Sequence, residues 1–348
     1  MMLAPAIAVL AGALGVLVAL ALPRLLQLGQ GQAAAPGAAV PGAVSVLSSS
    51  SIASSAPAVA APSVPALDAA ARRALWPLPA ACHAAGATWA PSGAPRVRSG
   101  MSAYEMPGAD LVVDYLVGPD GLTPTATGGK HRAKVTDCAR RLWRVITTVY
   151  PDDARALISH LVIYDGTTAR DPDDRDVSAF VRPVDEGLTS WVLAVDPGFD
   201  DSAELADTLV HELGHLLTLN ARQVDITHQD SPTCTTEPTS HGCSVPGSIY
   251  DEYVHQAWDP AVLDEWWQLY DRSNGELSAA ELTRFHQRHA DHFVEEYAAS
   301  DPEEDFAATF AAWCLGRPAE TPPVQRKLAF LDARPELAGM TQRCRVIA

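Results

Sequence analysis

The segment DTLVHELGHLLTLN, Asp207 to Asn220, tolerates few surroundings. Stepped at about 100° per residue, Leu205, Ala206, Leu209, Val210, Leu213, Leu216 and Leu217 fill one arc of about 140° on a helix. His211 and His215 fall on the opposite side, about 40° apart, with Glu212 on their flank. Asp201-Ser202 opens the helix, with Glu204 at capping-box spacing from Asp201, and it runs to about Asn220. Such a helix must bury one side against an apolar layer and present two imidazoles together on the other. Gly214, between the two faces, leaves backbone accessible near the imidazoles.

The remaining sequence sets what can surround that helix. The 348 residues are 47% hydrophobic, enough for a sizeable core. Asp and Glu number 42 against 25 Lys and Arg, a net charge of −17. This balance argues against nucleic acid as a partner, because phosphate binding needs Lys and Arg to neutralise it. It also disfavours docking on anionic lipid.

Met1 to Leu22 carries no charged side chain. That run is long enough to cross a bilayer or to form the apolar part of a signal peptide. Residues 1–28 are therefore read as a signal peptide or membrane anchor, and residues 29–66, rich in Ala, Pro and Ser without a charge, as a disordered linker. Residues 67–348 form the folded domain, placed outside the cell as a secreted or surface protein that meets a membrane only through its N-terminal segment. Six cysteines behind an export signal suggest disulfides. Cys234 with Cys243, and Cys314 with Cys344, are the expected pairs.

Within 67–200, strands are expected at Ala109–Val117, His160–Tyr164, Ser178–Val181 and Ser190–Val195. A helix is expected at Ala133–Val149. Within 201–348, the HELGH helix precedes a polar loop from Arg222 to Gly247. Helices follow at Pro260–Asp271, Ser278–Phe293, Pro302–Leu315 and Val324–Ala333. Strands first and helices later make an α+β class, with a mixed or antiparallel sheet packed on the HELGH helix and a mainly helical C-terminal half.

Two histidines one turn apart on one helix face suit one zinc ion, and Glu212 can then touch a zinc-bound water as general base. A third ligand is needed. HELGH lacks the downstream Gly and His of the metzincin pattern, those positions being Thr218 and Ala221. Glu237 stands near the spacing of a thermolysin-like third ligand but sits in the Cys234–Cys243 loop. Asp225 and His228 are weaker choices. The segment YAASDPEEDFAATFAAW, Tyr297 to Trp313, offers Glu304 on a helix started by Asp301-Pro302, about 130° from the centre of the apolar stripe of Phe306, Phe310, Trp313 and Cys314. The other reading of Glu304 is a capping box with Asp301.

HExxH followed far downstream by Tyr297 and then by E-x-F-A-x-x-F resembles the gluzincin metallopeptidases related to anthrax lethal factor. The resemblance covers roughly Ser202 to Leu315. It implies a zincin-like fold, His211, His215 and Glu304 as zinc ligands, Glu212 as catalytic base and Tyr297 as the group that faces the substrate carbonyl. It further implies a peptide or protein substrate laid along an edge strand, for which Thr189–Val195 is the candidate. Members often carry a glutamate four residues after the ligand; here it is Ala308. The expectation is an exported zinc metallopeptidase. The alternative is an inactive zinc-binding or metal-free envelope interaction domain on a flexible stalk.

Other features carry less. Asn274 to Glu281 resembles half of a calcium loop, but the first ligand positions would be Tyr270 and Arg272, so a helix start capped by Ser278 and Glu281 fits better. His286, His289 and His292 drift around their helix and read as a polar face. The acidic run Asp171–Asp176 reads as a solvated turn.

Overall fold

The computed structural model describes residues 68–348 except 84–87, 91–108, 126–134, 170–176, 199–201, 229–233, 274 and 276. The N-terminal segment, the linker, the acidic run 171–176 and the cap position Asp201 lie outside the described residues.

Five strands form one sheet: β1 (Asp110–Gly118), β2 (Gly121–Pro124), β3 (Ile158–Asp165), β4 (Ala179–Pro183) and β5 (Trp191–Val195), in the order β2-β1-β3-β5-β4. β1 pairs antiparallel with β2 and β3, β3 runs parallel to β5, and β4 is antiparallel to β5, so the sheet is mixed. The period of two divides its side chains between two layers. Leu161, Ile163, Trp191, Leu193 and Val195 join the main core. Leu111, Val162, Tyr164, Val192 and Ala194 make a small second core.

One expectation is corrected here. The segment Thr189–Val195 is not at the edge: β5 lies between β3 and β4, and β4 is the edge strand. WVLAV is apolar at both parities and buried at every position, which requires a strand covered on both faces. β4 reads AFVRP and is only half-buried after its first residue; a terminal Pro is tolerated at an edge.

Helices α1 (Ala69–Leu75), α2 (Asp137–Val149), α3 (Asp152–Arg155) and α4 (Ser202–Thr218) accompany the sheet. Thr136 caps α2 by accepting from the Ala139 N–H, and the helix stops at Tyr150 before Pro151. The Tyr150 hydroxyl then donates to the Leu209 carbonyl of α4 at 2.6 Å, tying the two helices. The apolar arc of α4 enters the same core as α2 and the sheet.

The C-terminal half is helical: α5 (Ile249–Ala257), α6 (Pro260–Arg272), α7 (Ala279–His289), α8 (Pro302–Cys314), α9 (Pro322–Asp332) and α10 (Met340–Cys344). Helix α5, capped by Ser248, was not expected; its sequence IYDEYVHQA alternates apolar and charged residues too closely for a clean stripe. The expected helix end at Phe293 shortens to His289, followed by a 3-10 turn at Ala290–His292. The Ser278–Glu281 capping box is present. The stretch expected as a polar loop holds a small sheet, β6 (Val224–Asp225), β7 (Pro238–Thr239) and β8 (Gly242–Ser244), in the order β6-β8-β7.

Three disulfides close the chain: Cys82–Cys138, Cys234–Cys243 and Cys314–Cys344. The last two are the expected pairs, and all three fit an extracellular protein. No helix among the described residues is long and apolar enough to cross a membrane.

Cys314–Cys344 closes a loop of 30 residues between α8 and α10. Loop-closure entropy gives such a link roughly 3–4 kcal/mol. Replacing both cysteines by serine is expected to lower the free energy of urea unfolding by that amount.

Candidate metal centre

The site begins with a close helix crossing. Gly214 of α4 faces Ala307 of α8, and a Cβ built on Gly214 would lie 2.9 Å from the Ala307 Cα. The glycine therefore does not expose backbone, as expected from sequence; it lets α8 lie against it. Ala307, Ala308 and Ala311 are likewise buried on α8. Small residues on both sides bring the two backbones together.

One turn before Ala307, this crossing delivers Glu304 to the histidines of α4. Glu304 Oε2 is 2.9 Å from His211 Nε2 and 3.3 Å from His215 Nε2, and the two imidazole nitrogens are 3.1 Å apart. Ligand atoms about 2.0–2.1 Å from a tetrahedral metal ion stand roughly 3.3 Å from one another. The trio thus has the spacing of three corners of such a shell, and its N, N, O donor set can hold a metal ion. It is the one group with this property among the described residues.

The first turn of α8 separates two functions that the sequence left open for Glu304. Asp301 is the N-cap, and its carboxylate accepts from the N–H groups of both Glu303 and Glu304. The Glu304 side chain is left to face the histidines. Burial alone would raise its carboxyl, but the charges and hydrogen bonds of His215 and His211 hold it far below the usual range. Burial alone would lower His215; the Glu304 carboxylate outweighs this and raises it well above an ordinary imidazole.

Glu212 is 6% exposed. Burial raises its carboxyl, against the lowering effect of the two histidines and of the nearby Val181 backbone on edge strand β4. The general-base candidate thus lies near the edge strand. Tyr297 lies in a 3-10 turn just before α8, its ring centroid 5.9 Å from that of His211 and 37% of its surface exposed. Desolvation and the neighbouring charges of Glu304, Asp301 and Glu212 raise its hydroxyl well above the ordinary phenol value. All five candidate residues are thus in one place.

The alternative third ligands are elsewhere. Glu237 lies in the small sheet's loop and faces His255 at 3.6 Å. Asp225 accepts from the backbone N–H of Thr227. His289 pairs with Glu265 at 2.8 Å and is not part of the trio. At the Ala308 position no carboxylate is available, and His215 Nδ1 is buried without a hydrogen-bond partner.

Sequence reading missed the β7–β8 turn. Ser240 donates from both its N–H and its hydroxyl to the Glu303 carboxylate, which moors the turn beside the site. His241, next in the chain, is pushed down to about 4 by burial and by the charge on His215. Nothing in the periodicity of a Ser-His-Gly turn points to such a location; its one signal was the flanking Cys234–Cys243 pair.

No family model matches this chain, and neither does any curated protein or solved structure.

Two outcomes follow from the geometry. Gly214→Ala is expected to destabilise by about 1–3 kcal/mol through overpacking and to weaken metal binding by displacing α8; urea unfolding and a metal titration measure the two effects. At pH 7 the metal-free His215 carries a proton that a metal ion must displace. Calorimetry in buffers of different ionisation enthalpy should find about one proton released per metal ion. Affinity should rise with pH until His215 deprotonates unaided. The raised His215 stabilises the metal-free fold below about pH 6.5, a contribution lost as pH rises through its folded value. The depressed Glu304 contributes above the ordinary carboxylate range and loses its share as pH falls through its own folded value.

Proposed function

We propose that the chain is an exported zinc metallopeptidase with a zincin-like domain. The observation that carries this reading is the convergence of His211, His215 and Glu304, with Glu304 93 positions beyond His211, directly beside a buried glutamate. Imidazole nitrogens with one carboxylate are a common donor set for catalytic zinc. Zinc held by these side chains would polarise a bound water and the substrate carbonyl.

The protein groups perform the remaining steps. Glu212 takes the proton released as water attacks the carbonyl carbon, and returns it to the amide nitrogen as the C–N bond breaks. The Tyr297 hydroxyl, kept protonated, donates a hydrogen bond to the oxygen that gains charge. Among the described residues β4 ends the sheet, and its outer side would offer backbone groups to an extended peptide. The nearness of the Val181 backbone to Glu212 supports this, since it puts the base close to where that peptide would lie. A peptide or protein is accordingly the substrate. Export is supported by the three disulfides and by the apolar N-terminal run.

A second reading is a zinc-binding domain without catalysis. It is favoured by Ala308 and by the unpartnered Nδ1 of His215, since ligand histidines are normally oriented through that nitrogen.

Cleavage of casein, with and without a chelator, tests the first reading. Purified protein is expected to hold about one zinc per chain, lost in His211→Ala and in Glu304→Ala. Glu212→Gln is expected to keep the zinc and to lose roughly 100- to 10,000-fold in activity. A Glu212→Gln protein as active as the parent would remove the peptidase reading, and a zinc-loaded parent that cleaves nothing would favour the second one.

A further inference from the structure

One residue beyond Glu304, about 100° further round α8, lies a buried polar cluster that the proposed chemistry does not use. Asp305 is 0% exposed and Lys327 of α9 is 1% exposed. Lys327 Nζ is 2.8 Å from Asp305 Oδ1 and 2.7 Å from Oδ2, and donates to the His292 carbonyl at 2.7 Å. The rings of Trp258 and Phe293 flank the ammonium at 4.9 and 4.6 Å. The Tyr253 hydroxyl of α5 donates to Asp305 Oδ2 at 2.7 Å, and Thr309 Oγ1 is 3.1 Å from the same hydroxyl.

A buried ion pair is a poor stabiliser: desolvation cancels most of its attraction, and an apolar replacement of similar volume is often as stable. Its distinctive property is direction. Phe306 and Phe310 hold α8 through apolar contact, which tolerates small rotations and slides. Hydrogen bonds to Asp305 from α5 and α9 do not, since a turn of the helix by a few tens of degrees breaks them all. A metal ligand must be held to within about 0.5 Å. Asp305 follows Glu304 directly, so fixing one side chain fixes the azimuth of the other. We propose that Lys327 and Tyr253 are positioning residues for the metal site, holding the Glu304 carboxylate at the imidazoles by clamping Asp305.

This inference rests on the zinc reading above, and its test separates the two. The full chain is compared with the double variant Asp305→Leu/Lys327→Met, which replaces the pair by apolar side chains. Thermal unfolding of the metal-free proteins is expected to show no loss of stability. Zinc affinity, read by competition with a chromophoric chelator, is expected to fall about 10- to 100-fold, the range seen when groups that orient metal ligands are removed. The absorption spectrum of the cobalt-substituted protein should change with it. Tyr253→Phe, which removes one hydrogen bond and keeps the pair, should weaken zinc binding by a smaller factor and keeps the test available should the double variant misfold. A parent protein that binds zinc, beside variants that fold and bind it within twofold, overturns the inference and leaves the zinc reading standing. A parent that binds no zinc overturns both.

Discussion

The contact between Gly214 and Ala307 governs everything built around it. Packed helices ordinarily keep their axes 8–10 Å apart, at a distance set by the side chains between them. Here a glycine faces a run of alanines, and no larger side chain intervenes. Only at such an approach can the short arm of a glutamate on α8 reach two imidazoles on α4. The contact also explains why α4 is buried on nearly all sides, although its apolar residues occupy less than half of its circumference. Its leucines meet the sheet and α2, and its small and polar face meets α8.

Charge is the second constraint. Glu212, Glu295, Asp301 and Glu303 lie around the trio, and burial raises the carboxyl of each, with the Glu304 charge adding to the rise. Arg317 answers part of this by pairing with Glu295 and Asp207. In the metal-free protein His215 retains a proton against its burial. A divalent cation at the trio would supply that positive charge instead, relaxing the surrounding carboxyls toward their ordinary values. The acidity of this region therefore serves the site more directly than it serves any partner at a distance.

Much of this was legible in the sequence, where local periodicity carried the information. The α4 pattern, the end of α2 at Tyr150-Pro151, the start of α8, the main strands and two disulfides all follow from spacing and from capping or helix-breaking residues. The metal trio required a downstream motif, because no periodicity relates His211 to Glu304. The order of strands was not legible: WVLAV read as a strand, but its place inside the sheet, with β4 outside it, depends on pairing between distant segments. Helix α5 and the small sheet were missed for a related reason. IYDEYVHQA is buried through Tyr250 and Tyr253, the latter with its hydroxyl on Asp305 and Thr309 of α8, and β6, β7 and β8 are too short to show alternation. Gly214 was noticed for the wrong property, since its use depends on a residue 93 positions away, the same interval that separates His211 from Glu304.

The first turn of α8 shows why composition alone could not have located the site. Asp301, Glu303, Glu304 and Asp305 are four carboxylates within five residues, and on a surface they would be interchangeable helix-start charges. In the fold each has a separate partner. Asp301 takes the backbone N–H groups of the turn, Glu303 takes Ser240, Glu304 takes the two histidines and Asp305 takes Lys327 and Tyr253. The partners lie in different directions around one helix axis, so exchanging any two of the acids would leave a buried charge facing the wrong wall. A turn specified in this way can rest in one orientation only, and that orientation is the one in which the Glu304 carboxylate meets His211 and His215.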